Sequence, residues 1–355
     1  MKKIIVLFAL LLAFSLCLVS CNSTKYNDAL ELIEAGKYEE AYELLNQLGD
    51  YKDAQQLLAN FRYVPSSATV EQDGEVLSAE FFYDQDNFPL RSVLTDVDGN
   101  IHSTDYTYDQ NKDLIKEFFI DHEYGETTYS YTYDANRNLI KAIYDHAEGV
   151  CYSQEYVYDE NGRLIKDTVV YSDDFQYSSE FTYDANGNII KEKTTLNDTD
   201  EEIAEYTYDE NGKKTGGVIT YSDAQAPIIF EYDANGNLIS ELYDFSDGAT
   251  HITYEYDANG NMIKEACTFG GEQSYVIEYA YDANGNLIKK AQTSADYGNY
   301  SYEYTYDENG NVIKTVYTTD DESLSYTKEM EYKLVYISKD ISERVEKALK
   351  YDYFG

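Results

Sequence analysis

The 355 residues carry 67 Asp and Glu against 27 Lys and Arg, a formal charge of −40, and 40 Tyr with no Trp. That balance lacks the basic footprint that phosphate recognition needs, so nucleic acid is excluded as a partner, as is adhesion to anionic lipid through basic patches. Tyrosine buries a ring but keeps a hydroxyl that needs a hydrogen-bond partner, so so many of them imply half-wet surfaces, as sheets present, rather than one large dry core.

In chain order, Lys2 and Lys3 precede an apolar run from Ile4 to Leu18 that is too short and too early for a spanning helix. The run ends in Leu18-Val19-Ser20-Cys21, which resembles the lipobox of bacterial lipoproteins. The resemblance implies that residues 1–20 are a signal peptide, that cleavage falls before Cys21, and that Cys21 carries diacylglycerol and a fatty acyl chain such as palmitate. Residues 21–24 are then a lipidated linker, and the chain is held at the extracytoplasmic face of the cell membrane. Two or three acyl chains on one residue anchor stably where one is marginal. The plainer alternative is a secretory signal with a chance cysteine; Cys17 is lost with the signal in either case.

Residues 25–62 form a helical unit. Ala29, Leu30, Leu32 and Ile33 recur at helical spacing, Gly36 interrupts, and Ala41, Leu44, Leu45 and Leu48 resume. A second break at Gly49-Asp50-Tyr51 leads to Ala54, Leu57, Leu58 and Phe61. Gly36-x-Tyr38-x-x-Ala41 resembles a tetratricopeptide helix pair. Two readings stand: a collar that packs against the first β-repeat, or a groove for a peptide.

From Tyr83 a Tyr-Asp pair recurs, with Asp at 84, 109, 134, 159, 184, 209, 233, 257, 282 and 307. So regular a period marks a repeat array, assigned to 70–338. Before each Asp, aromatic and polar residues alternate, as in Tyr129-Ser130-Tyr131-Thr132-Tyr133, the pattern of a strand with one packed face. Asp-Ala-Asn-Gly-Asn or a variant follows: Asp bonds its own downstream backbone and Gly supplies positive φ. The first three turns have Asn87, Lys112 and Arg137 in place of Gly, so they read as less ideal. A second strand follows whose third place is basic in most copies, as at Lys141, Lys166 and Lys289, and it is expected to pair with carboxylates on neighbouring strands. Lys213-Lys214-Thr215-Gly216 departs from the pattern and predicts a weak joint or a local bend. Residues 340–355 read as a C-terminal capping helix and tail, with Asp340-Ile341-Ser342-Glu343 as a capping box.

Tyr156-Val157-Tyr158-Asp159-Glu160-Asn161-Gly162-Arg163-Leu164 resembles the YD repeat of the Rhs and teneurin families. Those repeats wind antiparallel hairpins into a spiral sheet, in large members a hollow shell. Here most copies have Asn after the Gly where the family favours Arg, and ten hairpins are few for enclosing a cargo. The expected fold is therefore mainly β, an open, elongated antiparallel repeat sheet or solenoid of about ten hairpins, with the helical unit before it and the cap after it.

Three site readings compete with structural ones. Asp-x-Asn-Gly-Asn has calcium-like oxygen spacing, but Leu164 and Val170 stand where an EF-hand needs Gly and a bidentate Glu, so turn chemistry is preferred. Tyrosine ladders stack on sugars or on each other. His122 and His146 share a phase in adjacent repeats, a faint metal signal; otherwise His102, His122, His146 and His251 are scattered. Cys151 and Cys267 are too far apart along a flat sheet to bridge. No catalytic residue, metal ligand or cofactor can be picked out. The sequence thus predicts a non-enzymatic surface lipoprotein, an interaction or scaffold module that binds cell-wall or host glycan, or protein, along the sheet. The alternatives are a structural spacer, or an accessory to a toxin or secretion system by analogy with Rhs proteins.

Overall fold

The computed structural model describes residues 22–337 apart from 123–124, 148–150, 198, 222–223, 246–247 and 296. Cys21, the expected signal segment and the expected capping helix at 340–355 lie outside these residues. Three helices come first: α1 (22–34), α2 (Tyr38–Leu48) and α3 (Ala54–Leu58). Helix α2 carries Glu39 and Glu40 in its first turn, where the helix dipole favours acid, and buries Ala41, Leu45 and Leu48 as one stripe. It stops at Gly49, whose φ of 54° lies in the left-handed region.

Twenty-two strands follow in one antiparallel sheet, each paired with its sequence neighbours, from β1 (Phe61–Gln72) and β2 (Glu75–Tyr83) to β22 (Tyr326–Tyr336). Strand β1 also pairs with β22, from Phe61 opposite Tyr336 to Gln72 opposite Tyr326. The sheet is therefore a closed barrel, which corrects the expectation of an open, elongated sheet. The physical cause lies at the repeated motif. A register shift occurs at the YD tyrosine of every hairpin, as at Thr132/Tyr133, Thr182/Tyr183 and Ala280/Tyr281. A bulge bends its strand and increases the local twist. Placed once per hairpin on the same side, the bends add in one direction until the edges meet, and closure removes both edges. The array also begins earlier than assigned: β1 starts at Phe61, inside the segment read as helical.

The expected weak joint is absent. Pairing runs unbroken through Gly216–Tyr221 to both neighbours, and the register shift at Thr207/Tyr208 is the one every hairpin has. Gly216 and Gly217 are needed there because an added Cβ would fall 2.7 Å from the Ile228 carbonyl oxygen and 2.2 Å from that of Glu205. The glycines permit close backbone approach instead of weakening the sheet.

The two faces differ. Buried strand residues such as Thr104, Glu117, Val169, Ala204, Ile228, Cys267 and Ile277 share the face of the YD tyrosines. Exposed apolar residues such as Ile143, Val157, Val218 and Ile229 lie on the other. Closing a sheet crowds its concave face, so the tyrosine face is the inner one. At about 4.8 Å per strand the circumference is on the order of 105 Å, and a circular section would span roughly 35 Å. Most inner tyrosines stay partly exposed, so no opposite wall is packed dry against them.

Candidate functional site: the rim turns and the inner face

All ten YD turns lie at one end of the barrel and share one geometry. In the turn at Asp257, Oδ1 accepts from the backbone N–H of Asn259 at 2.8 Å and of Asn261 at 2.9 Å, and Oδ2 accepts from Asn261 Nδ2 at 3.0 Å. The Asp257 N–H donates to the Asn261 carbonyl and the Gly260 N–H donates back to the Asp257 carbonyl. The same set recurs at Asp184, Asp233, Asp282 and Asp307. These donors, led by the backbone N–H of the closing Asn, hold Asp233 and Asp257 below the ordinary carboxylate range. Both carboxylate oxygens serve the turn itself, which is the turn chemistry preferred over calcium. Among the described residues no group of three or more His, Cys, Asp or Glu is placed to hold a metal.

The tyrosine of the pair ties repeats together. In eight of the ten copies its hydroxyl donates to a main-chain carbonyl of the preceding repeat: Tyr83 to Pro65, Tyr133 to Leu114, Tyr158 to Leu139, Tyr183 to Leu164, Tyr208 to Ile189, Tyr256 to Leu238, Tyr281 to Met262 and Tyr306 to Leu287. The conspicuous exception is Tyr108, whose hydroxyl is buried with no partner while its ring packs edge-on against Phe88 at 5.2 Å.

On the inner face the residue after the ladder position forms a belt of acids: Glu117, Asp167, Glu192 and Glu265, each after a lysine, and Glu241, after Ser240. Three of them accept from phenols, and Asp167 accepts from Gln154 Nε2 at 3.4 Å. Tyr131 donates to the buried Glu117 at 2.6 Å; Tyr243 and Tyr254 both donate to Glu241, at 2.8 and 2.9 Å; Tyr275 donates to Glu265 at 2.7 Å. Burial first, and then the bonded carboxylate, push Tyr243, Tyr254 and Tyr275 well above the usual phenol range. Between the acids run ring ladders: Tyr129, Tyr144, Tyr152 and Tyr171 at 5.0, 5.1 and 5.7 Å, and Tyr302, Tyr317 and Tyr326 at 4.7 and 5.2 Å. The belt was not foreseen, although its recurrence at intervals of one or two repeats was present in the sequence.

The outer face bears the predicted ion-pair ladder: Lys141–Glu155 at 2.7 Å, Lys166–Glu180 at 2.9 Å, Lys289–Glu303 at 2.9 Å and Lys314–Glu329 at 2.8 Å. His102 Nδ1 lies 2.8 Å from Asp121, and His251 Nε2 lies 3.0 Å from the Ser240 hydroxyl. His122 offers its backbone N–H toward His102, and His146 faces Thr127. Cys151 and Cys267 form no disulfide, and burial pushes the Cys267 thiol up.

The helical unit sits over the seam. Ala41, Leu45, Leu48 and Ala54 pack with Phe61 and Leu334. A second cluster joins Val64, Phe88, Val335 and Ile337 to Tyr38 of α2. Asn87 of the first YD turn donates to the Tyr336 carbonyl at 3.0 Å and reaches the Tyr38 hydroxyl at 3.4 Å. Tyr26 donates to Asp53, which with burial pushes its phenol up to about 12. The contact with the first repeat is that of a collar.

Residues 142–264 match the family model described as Teneurin YD-shell, which supports a repeat of the YD/Rhs kind. No curated protein is matched. Among solved structures, "Crystal Structure of TcdB2-TccC3-TEV" aligns over 81% of this chain and 20% of its own, at 13% identity and a TM-score of 0.29. "Crystal Structure of TcdB2-TccC3-Cdc42" aligns over 80% of this chain and 20% of its own, at 13% identity and a TM-score of 0.27. This chain thus spans about a fifth of the length of those structures. A porin-like protein from Bacteroides vulgatus ATCC 8482 aligns over 76% of this chain and 98% of its own, at 12% identity and a TM-score of 0.28.

Proposed function

We propose that this chain is a non-enzymatic, lipid-anchored extracytoplasmic module that holds a glycan or polypeptide against the inner face of its closed sheet. The observation that carries the reading is the character of that face: ladders of partly exposed tyrosine rings alternate with carboxylates whose oxygens already order the phenols. Aromatic faces stack on sugar rings or apolar side chains, and fixed hydroxyl–carboxylate pairs supply polar contacts at little further ordering cost. Anchoring is assigned to acyl chains on Cys21, not to the barrel wall. Lysines of the outer ladder stand at the third residue of their strands, as Lys141 in Leu139–His146, and a lysine facing lipid costs up to about 2–4 kcal/mol, most at the midplane. No helix among the described residues is long and apolar enough to cross a membrane.

The test is a glycan array and a peptide panel probed with the purified chain, followed by titration of any hit. Binding should fall on Tyr302→Ala and Tyr317→Ala, on the inner face, and persist on Glu303→Ala, on the outer one. Absence of any glycan or peptide ligand would instead leave a structural spacer. For the anchor, Cys21→Ser should release the chain from the membrane fraction.

A further inference from the structure

Slots between neighbouring rim turns are filled by the chain's own cations in some repeats and open in others. Lys333 Nζ stands 4.4 Å over the Tyr83 ring, the Arg163 guanidinium 4.6 Å over Tyr183, and Lys213 Nζ 5.0 Å over Tyr232. Lys213 also donates to the Gly236 carbonyl at 3.3 Å, lying where a Cβ on Gly236 would be, 2.2 Å away. A filled slot therefore offers one cation an aromatic ring and, at Lys213, a carbonyl of the next turn, beside the turn carboxylates.

Further along the chain, Asn237, Asn261 and Asn286 occupy the position of Arg163 and Lys213, and each folds its amide back onto the Asp of its own turn. The glycine of the following turn, Gly260, Gly285 or Gly310, then has no atom within 4 Å of its Cβ position. Among the described residues no cation stands over Tyr256, Tyr281 or Tyr306. The first of these slots is a groove of about 470 Å³ lined by Asp233, Asn237, Tyr256 and Asp257 among others.

We propose that these three consecutive slots are a docking strip for a basic polypeptide segment, each taking one Arg or Lys side chain where the chain supplies none. The internal counterparts identify the group: the same turn geometry is closed by a guanidinium or ammonium elsewhere on the rim. Spacing identifies the carrier. Adjacent slots are two strands apart, about 10 Å, and a polyproline II chain advances about 9 Å per three-residue turn, so cations at every third residue lie on one face and enter successive slots. Linked engagement multiplies weak single contacts. The proposal does not rest on the inner face, since the slots lie on the rim.

The test is fluorescence anisotropy with the purified chain and a labelled Arg-Gly-Ser-Arg-Gly-Ser-Arg peptide at physiological salt. Asn237→Arg, Asn261→Arg and Asn286→Arg together, imitating Arg163, should weaken binding at least about tenfold, and each alone should give a partial loss that stands if the triple variant folds poorly. A charge-matched triple on the outer face, Ser153→Arg, Thr182→Arg and Ser301→Arg, should change it less than about threefold, and a peptide of the same charge with its arginines contiguous should bind more weakly. Equal losses in both triples, or equal binding of both peptides, would reduce the strip to diffuse attraction by an acidic surface. Displacement of the peptide by phosphatidylcholine vesicles would assign the slots to lipid headgroups and overturn the proposal as well.

Discussion

The first YD turn and the later ones close the same hairpin with opposite economies. In the turn at Asp257 everything is internal: Asn261 bonds Asp257 and Gly260 takes the positive φ at 86°. In the turn at Asp84 the closing residue is Phe88, which is fully buried, and the positive φ of 63° falls on Asn87, whose side chain reaches β22 and α2. The next turn puts Lys112 at φ 61°, and its ammonium bridges back to Asp84 and Asp86 at 2.7 and 2.8 Å. Arg137, at φ 69°, bonds Asp113 in the same backward sense. The first three turns place a non-glycine residue at positive φ and use its side chain to reach outward; the turns at Asp233, Asp257 and Asp282 are self-sufficient and leave the slots between them open.

Substitutions that exchange the two kinds test this contrast. Phe88→Asn gives the first turn the later sequence but empties the cluster under α2; it should cost about 3–5 kcal/mol in chemical denaturation, against a small effect for Asn311→Ala at an exposed turn. Acid should act on the self-contained turns together. Asp233 and Asp257 have folded pKa values below the unfolded one, so their contribution is complete above the ordinary carboxylate pKa and disappears as pH falls through the lowered value. Near-ultraviolet circular dichroism should therefore be flat from pH 7 to about 4 and fall below that; loss beginning near pH 6 would point to another group. Tyr281→Phe removes a 2.9 Å bond to the Met262 carbonyl and should cost about 1 kcal/mol, whereas Tyr108→Phe removes a buried hydroxyl without a partner and should be neutral or stabilising. The smallest effect belongs to Lys112→Gly. Relief of backbone strain and loss of a partly exposed ion pair each amount to about 1 kcal/mol or less and oppose each other, so the melting temperature should barely move, and the variant should gain slightly on the parent as salt rises.

Much of the fold was legible because the motif is local. Asp-Ala-Asn-Gly-Asn dictates its own hydrogen bonds, alternating tyrosines dictate a strand, and the lysine at a fixed offset dictates a pairing partner. Closure was not legible, because it is the sum of small bends at bulges that no single copy reveals, and because the mate of β1 lies some 260 residues away, as Ala68 opposite Met330 shows. The inner belt escaped for a related reason. Glu117, Asp167, Glu192, Glu241 and Glu265 look like solvated charges until the register places them opposite aromatic residues on a concave face. The first three turns were read as less ideal because Gly was missing; Asn87, Lys112 and Arg137 are there for what their side chains reach.

Closure is the claim on which the inner face depends, and one distance measures it. Spin labels at Glu71→Cys on β1 and Thr327→Cys on β22, in a background with Cys151 and Cys267 changed to Ser, mark residues directly opposite across the seam. Electron paramagnetic resonance should find the labels within about 20 Å, as expected for directly paired residues. An open sheet would place them up to about 100 Å apart, at about 4.8 Å per strand, and a population at such distances would contradict the barrel.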